Sequence, residues 1–320
     1  MKKQVVPHDN DLLTEISVAY YQEDMTQEEI AQKYGISRIK VGRLLKKARE
    51  EGIVDITVRY HPIFSSRLEH ELIETFGIKR ALIALDVKDE NEQRRQVAAL
   101  VANYLSTTLK NNQTVAVSYG RNIAAITDYT GTISGKRCHF ISSIGGLGSV
   151  DSAINASHIS QRFGQLFTST SETLYAPAYA ETVAMKETFL KNSVVKETLK
   201  RAQQADLAIV EIDGLDDENN LIKTGLFSLK EMSDSQLNQS VACELSGYGL
   251  FNAQGEYVNT ILDHQTIGLS VNDLKKIPCV IGIASENTKA MAILAALKTG
   301  MIDVIATSVY NAKTILTIVK

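Results

Sequence analysis

Six cationic side chains lie between Ser37 and Glu50 with no acidic residue among them: Arg38, Lys40, Arg43, Lys46, Lys47 and Arg49. Apolar residues recur near helical spacing in the same segment, at Ile39, Val41, Leu44, Leu45 and Ala48. A helix that is apolar on one side and cationic on the other is suited to a groove lined by phosphate groups. The alternative interpretation is a basic helix that only faces solvent.

The residues before this segment carry signals for the elements that would hold it in place. Thr26 and Glu29 have the spacing of a capping box, Gly35 permits a tight turn, and Ser37 is typical of a helix N-cap. Asp11–Tyr21 would supply the first helix of a three-helix core. The combination of a cap, a glycine turn and a basic second helix predicts a DNA-binding helix-turn-helix.

Candidate DNA contacts follow from position along these helices. Side chains at the N-terminal end of the basic helix are expected to meet base edges, and those further along are expected to hold phosphate. The first group is Ser37, Arg38, Lys40 and Arg43, and the second is Lys46 and Lys47, while Thr26 and Gln27 at the start of the preceding helix complete the set.

The chain of 320 residues is expected to divide at His61-Pro62. We predict a helix-turn-helix domain over residues 1–60, ending in a strand at Ile53–Tyr60, and a single larger domain over residues 61–320. An amphipathic helix, Ser66–Phe76, would open the larger domain.

Short apolar runs then alternate with helical patterns. Strands are predicted at Arg80–Leu85, Thr114–Ser118, His139–Ile144, Thr173–Tyr175, Leu207–Ile212, Val280–Ala284 and Val304–Thr307. Helices are predicted at Glu92–Leu109, Asn122–Tyr129, Ala153–Phe167, Thr182–Leu190, Ser193–Gln204, Thr288–Lys298 and Asn311–Val319. Apolar strands separated by helices indicate an α/β fold with a doubly wound parallel sheet. Ala242–Val258 interrupts the alternation and predicts an inserted hairpin that turns near Gln254-Gly255.

Four loops after predicted strands could hold a small molecule, because ligands of open parallel sheets bind beyond the carboxyl ends of the strands. The loop Ser118–Asn122 offers backbone amides and the Arg121 side chain, which suit phosphate or sugar oxygens. Asp213 could accept a hydrogen bond from a hydroxyl, and Lys289 could reach an anion. The fourth loop contains Gly145-Gly146 but matches neither a dinucleotide motif nor a P-loop. Each loop could also be an ordinary turn.

Composition argues against several other classes of protein. The three cysteines are scattered, which disfavours a disulfide framework and a zinc site. We find no secretion signal, membrane segment or catalytic motif, so we expect a cytoplasmic protein that needs no cofactor or metal. A net charge of −3 leaves the basic helix as the expected nucleic-acid contact. Glu244, Asp263 and Glu286 are possible acids, but nothing in the sequence pairs them.

The order of these parts resembles the SorC family of bacterial sugar-binding transcriptional regulators over nearly the whole chain. Tyr20–Ala31 and Arg43–Val54 are similar to the family's helix-turn-helix, and Val117–Arg121 is similar to its first effector loop. Further similarities follow in family order at Gly145-Gly146, Asn155, Ala176-Pro177, Ala205–Val210, Lys289, Ala292-Ile293 and Ala295–Leu297.

The resemblance implies properties that the spacing of residues does not show. The large domain would share the fold of the ribose-5-phosphate isomerase and glucosamine-6-phosphate deaminase group. It would bind a phosphorylated sugar and associate as homodimers and homotetramers on operator DNA. The effector contacts carried over by position are Gly120, Arg121, Asn122, Gly145, Gly146 and Lys289.

This chain departs from the family pattern around the implied pocket. Ser285-Glu286 stands where two glycines are common, and Glu211–Gly214 stands where Gly-Ile-Gly is usual. Asn252 and Ser308 each replace a usual aspartate. A carboxylate beside a phosphate is unfavourable unless it is paired, so we interpret these changes as altered ligand specificity. Ser118, Asp213, Asn252 and Glu286 complete the candidate effector contacts.

We therefore expect a DNA-binding repressor of a carbohydrate-utilisation operon, with operator double-stranded DNA and a phosphorylated sugar effector as partners. One alternative is a regulator that responds to a phosphorylated quorum-sensing furanone. Another is a sugar-phosphate isomerase or deaminase with a DNA-binding appendage. A third is a constitutive DNA-binding scaffold with a degenerate pocket.

Overall fold

The computed structural model describes residues 9–54, 62–131, 133, 136–148, 152–215, 219, 222 and 241–320. The chain divides into two compact units, residues 1–61 and 62–320. Beyond Val54, the strand expected at Ile53–Tyr60 lies outside the described residues.

The N-terminal unit contains three helices, α1 (Asp9–Tyr21), α2 (Gln27–Tyr34) and α3 (Arg38–Glu50). Their shared core is formed by Ile16, Ala19, Ile30, Ala31, Val41 and Leu45. Gly35 ends α2 in the left-handed conformation, at φ +64°, which a glycine adopts without steric cost. The predicted three-helix module is thus present in this unit.

The second unit begins with α4 (Pro62–Phe76) and continues as alternating strands and helices. Its first half contains β1 (Arg80–Ala84), α5 (Glu90–Thr108), β2 (Thr114–Val117), α6 (Arg121–Ile126), β3 (His139–Ser142), α7 (Ala156–Leu166), β4 (Thr170–Glu172), α8 (Val183–Lys191) and α9 (Ser193–Gln203). Its second half contains β5 (Leu207–Asp213), β6 (Cys243–Leu245), β7 (Gly249–Phe251), β8 (Tyr257–Val258), α10 (Ile261–Gln265), α11 (Val271–Leu274), β9 (Val280–Ile283), α12 (Ala290–Lys298), β10 (Val304–Ser308) and α13 (Val309–Val319).

Seven of these strands form a parallel sheet in the order β1-β10-β9-β5-β2-β3-β4. Alternate residues of β5 belong to two separate cores, with Val210 in one and Ile209 in the other. Residues of α4, α12 and α13 complete the first core, and residues of α5, α6 and α7 complete the second. Helices thus cover both faces of the sheet, and the predicted doubly wound α/β fold is confirmed.

The interruption at Ala242–Val258 is an antiparallel extension of the sheet. β6 pairs with the end of β5, β7 pairs with β6, and β8 pairs with β7. The predicted turn lies between β7 and β8, and Gly255 adopts φ +80° there. The extension brings Glu244 opposite Asp213 at the carboxyl end of β5.

One strand prediction is wrong. The edge strand β4 is Thr170–Glu172, which pairs with β3, whereas Thr173–Tyr175 lies in the loop that follows. Leu174 supplied the apolar signal and is buried, but it packs from that loop. The predicted inter-strand helices are all present, with ends displaced by up to three residues, and α10 and α11 were not predicted.

The strand order sets the position of the candidate loops. β5 lies between β9 and β2, and all three run parallel. The residues that end or follow these strands, including Ser118–Asn122, Asp213 and Ser285–Lys289, therefore meet at one edge of the sheet.

Candidate functional site

The basic helix α3 is fixed at its N-terminus by side-chain caps. The Ser37 hydroxyl accepts a hydrogen bond from the Lys40 amide at 3.2 Å. Thr26 and Glu29 form the predicted capping box of α2, since the Thr26 amide donates to the Glu29 carboxylate at 2.8 Å and the Glu29 amide donates to Thr26 Oγ1 at 3.3 Å. These caps fix the starts of α2 and α3, the two helices of the predicted helix-turn-helix, which we call the reading head.

The predicted base-edge and phosphate residues are on the surface of the N-terminal unit. Ser37, Arg38, Lys40, Arg43, Lys46 and Lys47 are all exposed, as is Thr26, while Gln27 is half-buried. The ammonium groups of Lys46 and Lys47 lie 3.6 and 3.5 Å from the carboxylates of Glu50 and Glu51. Such exposed pairs contribute little to stability, so both lysines can exchange their partners for phosphate.

Ile39 corrects one sequence-based expectation. The helical pattern placed it on the apolar side of α3, but its side chain is 71% exposed between Arg38 and Lys40. Val41, Leu45 and Ala48, spaced four and three residues apart, form the buried side instead. The structure thus adds a large apolar side chain to the exposed surface that the sequence assigned to DNA.

At the sheet edge of the second unit, the Glu211 carboxylate occupies the loop between β2 and α6. Glu211 Oε2 accepts a hydrogen bond from the Asn122 backbone amide at 2.9 Å, and Oε1 accepts one from Asn122 Nδ2 at 3.1 Å. Asn122 was expected to contact the effector. Its backbone amide and its side-chain amide both donate to a protein carboxylate.

Glu286 joins the same group from the loop after β9. Its Oε2 accepts a hydrogen bond from Asn122 Nδ2 at 3.2 Å, and its Oε1 accepts one from Arg94 Nη2 of α5 at 2.9 Å. The side chains of Arg94 and Glu286 are 13% and 9% exposed, so this ion pair is largely shielded from water. Glu286 therefore has the cationic partner that a buried carboxylate in this pocket requires.

A second ion pair joins the end of β5 to the loop after β9. Lys289 Nζ is 2.6 Å from Asp213 Oδ1, and both side chains are less than one-tenth exposed. Asn219 Nδ2 donates to Asp213 Oδ2 at 3.3 Å and to Glu244 Oε2 at 2.8 Å. Asn219 thus links this pair to the antiparallel extension.

Glu244 also has partners among the aromatic residues. Its Oε1 accepts hydrogen bonds from the Tyr119 hydroxyl at 2.8 Å and from the Gly247 amide at 2.9 Å. The hydroxyls of Tyr119 and Tyr179 are 3.2 Å apart. Tyr179, Glu244 and Gly247 line a small cavity that opens between the extension and α10.

These contacts join a buried polar cluster, whose members are Arg94, Asn122, Glu211, Asp213, Asn219, Glu244, Glu286 and Lys289. Burial and neighbouring charges shift the pKa values of its acids in different directions. Burial, with the nearby carboxylates of Glu286 and Asp213, raises the pKa of Glu211 to about 8. Burial and the Asp213 carboxylate also raise the pKa of Glu244. Burial opposes ionisation of Glu286 as well, but hydrogen bonds, chiefly from Arg94, lower its pKa below the ordinary value. Neighbouring acids with opposed shifts are typical of ligand-binding sites.

The remaining predicted effector residues lie in three different places. Ser118 is buried at the end of β2, where its hydroxyl donates to the Ser246 carbonyl at 2.8 Å, and Arg121 is the half-buried first residue of α6. Gly145 and Gly146 instead pack their backbone against the segment Ala176-Pro177. The Asn252 side chain hydrogen-bonds within the turn of residues 252–256, so the structure gives it a turn-forming role.

Sequence reasoning missed several members of the cluster. Arg94 and Asn219 carried no motif, because their partners Glu286 and Glu244 are distant in sequence. Glu211 was noted only as a departure from a glycine, and Glu244 only as an isolated acid. Their positions at the carboxyl ends of β5 and β6 were the available signal.

Comparisons with known proteins agree with both units. Residues 60–317 match the family described as "Putative sugar-binding domain", and residues 14–51 match region 4 of sigma-70. The transcriptional regulator LsrR of Escherichia coli K12 is 30% identical over 314 residues, which cover 96% of this chain and 95% of that protein. Across the described residues, no helix is long and apolar enough to cross a membrane.

Solved structures extend the comparison to the fold. A crystal structure described as a "Putative Sugar-Binding Domain of Transcriptional Repressor" from Vibrio fischeri is 41% identical, with a TM-score of 0.73, and the match covers 79% of this chain and 98% of that one. The full-length sorbitol operon regulator SorC of Klebsiella pneumoniae is 25% identical, with a TM-score of 0.75, over 97% of this chain and 100% of that one.

A helix-turn-helix region followed by a domain of a sugar-binding family defines a DNA-binding transcriptional regulator. The chain belongs to the SorC type of sugar-binding transcriptional regulators, as the resemblance predicted.

Proposed function

We propose that this regulator represses a carbohydrate-utilisation operon and is controlled by an effector of the phosphorylated-sugar class held at the sheet edge. The observation that carries the proposal is the buried polar cluster at the carboxyl ends of β2, β5 and β9, in a chain that also carries a separate basic helix-turn-helix. The relative from Vibrio fischeri is described as part of a repressor, which supports repression over activation.

The cluster has the chemistry of a site for hydroxyl-rich molecules. Carboxylates of Glu211, Glu286 and Asp213 can accept hydrogen bonds from sugar hydroxyls, and Lys289 can donate to a sugar or phosphoryl oxygen. The loop residues Gly120 and Arg121 border the same edge.

The proposed mechanism is thermodynamic linkage. Effector and operator would each favour a different arrangement of a homodimer or homotetramer, so binding of one changes the affinity for the other by the same factor. A coupling free energy of about 1.4 kcal/mol corresponds to a tenfold change in operator affinity.

The test uses the full chain and an operator enriched from a random duplex library. Fluorescence anisotropy would measure operator affinity with phosphorylated and unphosphorylated pentoses, hexoses and hexitols, and with a phosphorylated furanone. We expect one compound class to weaken operator binding at least tenfold. Compounds that bind the protein raise its melting temperature. If such compounds leave operator affinity unchanged, the linkage mechanism is contradicted.

A matched pair of lysine variants locates the response. Lys289→Met should abolish the effect of the active compound, whereas Lys276→Met, at an exposed position before β9, should leave it intact. Melting temperatures of both variants separate loss of the site from loss of folding. An unchanged response in Lys289→Met would place the effector elsewhere.

A further inference from the structure

We infer that Glu211 is a built-in carboxyl group that fills the β2–α6 loop, so that the effector meets this corner with uncharged hydroxyl groups and keeps any phosphoryl group away from it. This inference rests on the proposed function, because it names which part of the effector the loop admits. The sequence suggested that backbone amides of this loop could hold a phosphate, whereas we assign the loop to contact with hydroxyl groups.

The first support is the occupancy of the loop. An anion at this loop would use the Asn122 amide, but that N–H donates to Glu211 Oε2 at 2.9 Å. The Asn122 side-chain amide is shared between Glu211 Oε1 at 3.1 Å and Glu286 Oε2 at 3.2 Å. Asn122 is 1% exposed and Glu211 is 5% exposed, so the carboxylate sits inside the protein and not at its surface.

The second support is the shape of the loop. Gly120 adopts φ +141°, and a Cβ atom built there would lie 1.8 Å from Glu211 Oε2. Any side chain at position 120 would therefore displace the carboxylate. The backbone approaches Glu211 as closely as a loop that cradles a bound anion approaches its ligand, which indicates that the loop is formed around this group.

The third support is the local charge. Four carboxylates converge on the cluster, from Glu211, Asp213, Glu244 and Glu286, and the cations of Lys289 and Arg94 are already paired with Asp213 and Glu286. A phosphate dianion placed beside them would gain no unpaired cation among these groups and would be repelled by the carboxylates. A proton on Glu211 removes one charge but leaves the side chain in the loop.

Hydroxyl groups fit the same corner without this penalty. Asn122 Oδ1 and Ser285 Oγ are buried and have no hydrogen-bond partner among the residues that the structure describes. Buried polar atoms of this kind are rare in proteins and are costly when they stay unsatisfied. A sugar hydroxyl can donate to Asn122 Oδ1 and can donate to, or accept from, Ser285 Oγ, so a polyhydroxylated ligand supplies the missing partners.

The test asks whether emptying the loop creates an anion site. Inorganic phosphate would be titrated into the full-length wild type, Glu211→Gly and Glu211→Gln at constant ionic strength, with binding followed by calorimetry. We expect no saturable phosphate binding by the wild type or by Glu211→Gln, whose side chain still fills the loop and can accept from the Asn122 amide. Glu211→Gly should bind phosphate at least tenfold more tightly than either.

Three results would overturn the inference. They are saturable binding of phosphate by the wild type, equal gains in Glu211→Gln and Glu211→Gly, and absence of any gain in a folded Glu211→Gly. If Glu211→Gly does not fold, Glu211→Ala takes its place with the same expectations.

The proposed function is tested separately on the same samples. Operator affinity of the wild type in the absence of any sugar tests the proposed function independently of phosphate binding. Failure of the wild type to bind an enriched operator would remove the proposed function and leave the phosphate result to decide the role of Glu211.

Discussion

Asn122 donates to two carboxylates whose pKa values move in opposite directions. Burial raises the pKa of Glu211 to about 8, whereas at Glu286 burial is outweighed by the Arg94 guanidinium together with hydrogen bonds from the Glu286 amide and Asn122, which lower the pKa of Glu286. The difference between these glutamates is therefore a difference in partners. Glu286 has a cation, and Glu211 has only amide donors.

The raised pKa of Glu211 predicts a stability that falls as pH rises. Between an unfolded value near 4.5 and the folded value of about 8, the folded chain binds more protons than the unfolded chain. The free energy of unfolding should then decrease by up to about 1.4 kcal/mol per pH unit from this group. Urea denaturation of wild type and Glu211→Gln from pH 5 to 8 tests this, because the glutamine variant should show a flatter dependence.

Glu286→Gln is the matched control for that experiment. The pKa of Glu286 is lowered, so its ionised form stabilises the folded chain above pH 4.5, and this contribution is lost as the pH falls through the folded value. Its substitution should lower stability at pH 7. Because it also removes one of the carboxylates that raise the pKa of Glu211, the fall in stability should span a narrower pH range but should not disappear. Identical slopes for Glu211→Gln and wild type would show that Glu211 titrates normally.

Ile39 predicts a second effect of a single residue. A 71% exposed isoleucine between Arg38 and Lys40 is placed to contact thymine methyl groups in the major groove. Ile39→Ala should weaken specific operator binding by about 1 kcal/mol, roughly fivefold, and leave non-specific binding unchanged. Anisotropy with operator and scrambled duplexes measures both.

The control for Ile39 is Ile318→Ala, which removes a 49% exposed isoleucine from α13 in the other unit. It should affect neither affinity. Equal losses on operator and scrambled DNA for Ile39→Ala would mean that Ile39 supports the helix without reading sequence.

At the scale of elements, the Arg94–Glu286 pair ties α5 to the loop between β9 and α12. Arg94→Met leaves the Glu286 carboxylate buried without a cation, which should cost about 3–5 kcal/mol of unfolding free energy. The double variant Arg94→Met, Glu286→Gln should recover much of this loss, because no unpaired charge remains. Denaturation of both single variants and the double variant completes the cycle, and strict additivity would contradict the coupling.

Sequence reasoning succeeded best for elements whose apolar residues are buried on both faces. β2, β5, β9 and β10 each contain a run of buried apolar residues, and all were predicted close to their observed bounds. The edge strand β4 was missed because Thr170-Ser171-Glu172 has a partly exposed, polar sequence and no alternation to detect.

The misplacement of Ile39 has a similar cause. It lies two residues before Val41, about 200° around the helix, so near-helical spacing could not assign it to the buried side. The cluster was only partly predictable for another reason. Lys289 and Asp213 follow strands, but the Arg94–Glu286 pair joins residues 192 positions apart, and only the strand order brings them together.

At the scale of the molecule, the basic surface of the N-terminal unit should dominate the salt dependence of operator binding. Each lysine that holds phosphate contributes about one to the slope of log affinity against log salt. The double variant Lys46→Ala, Lys47→Ala should therefore reduce the slope by about two and weaken binding to all duplexes alike. Anisotropy between 50 and 200 mM salt measures the slope.

Lys191→Ala, Lys200→Ala is the control, because these lysines are also exposed but lie in the second unit. It should leave the slope unchanged. An unchanged slope for the Lys46, Lys47 variant would show that neither side chain contacts the DNA backbone.

The pairing of β1 with β10 sets an order of events during synthesis. α1, α2 and α3 are contained in residues 9–50, whereas β1, at residues 80–84, pairs with residues 304–308. A ribosome adding 5–20 residues per second needs about 10–45 s to make the intervening stretch. All the residues of the DNA-reading helices thus leave the ribosome well before the sheet can close, so each new molecule completes its reading head before it can complete its effector site.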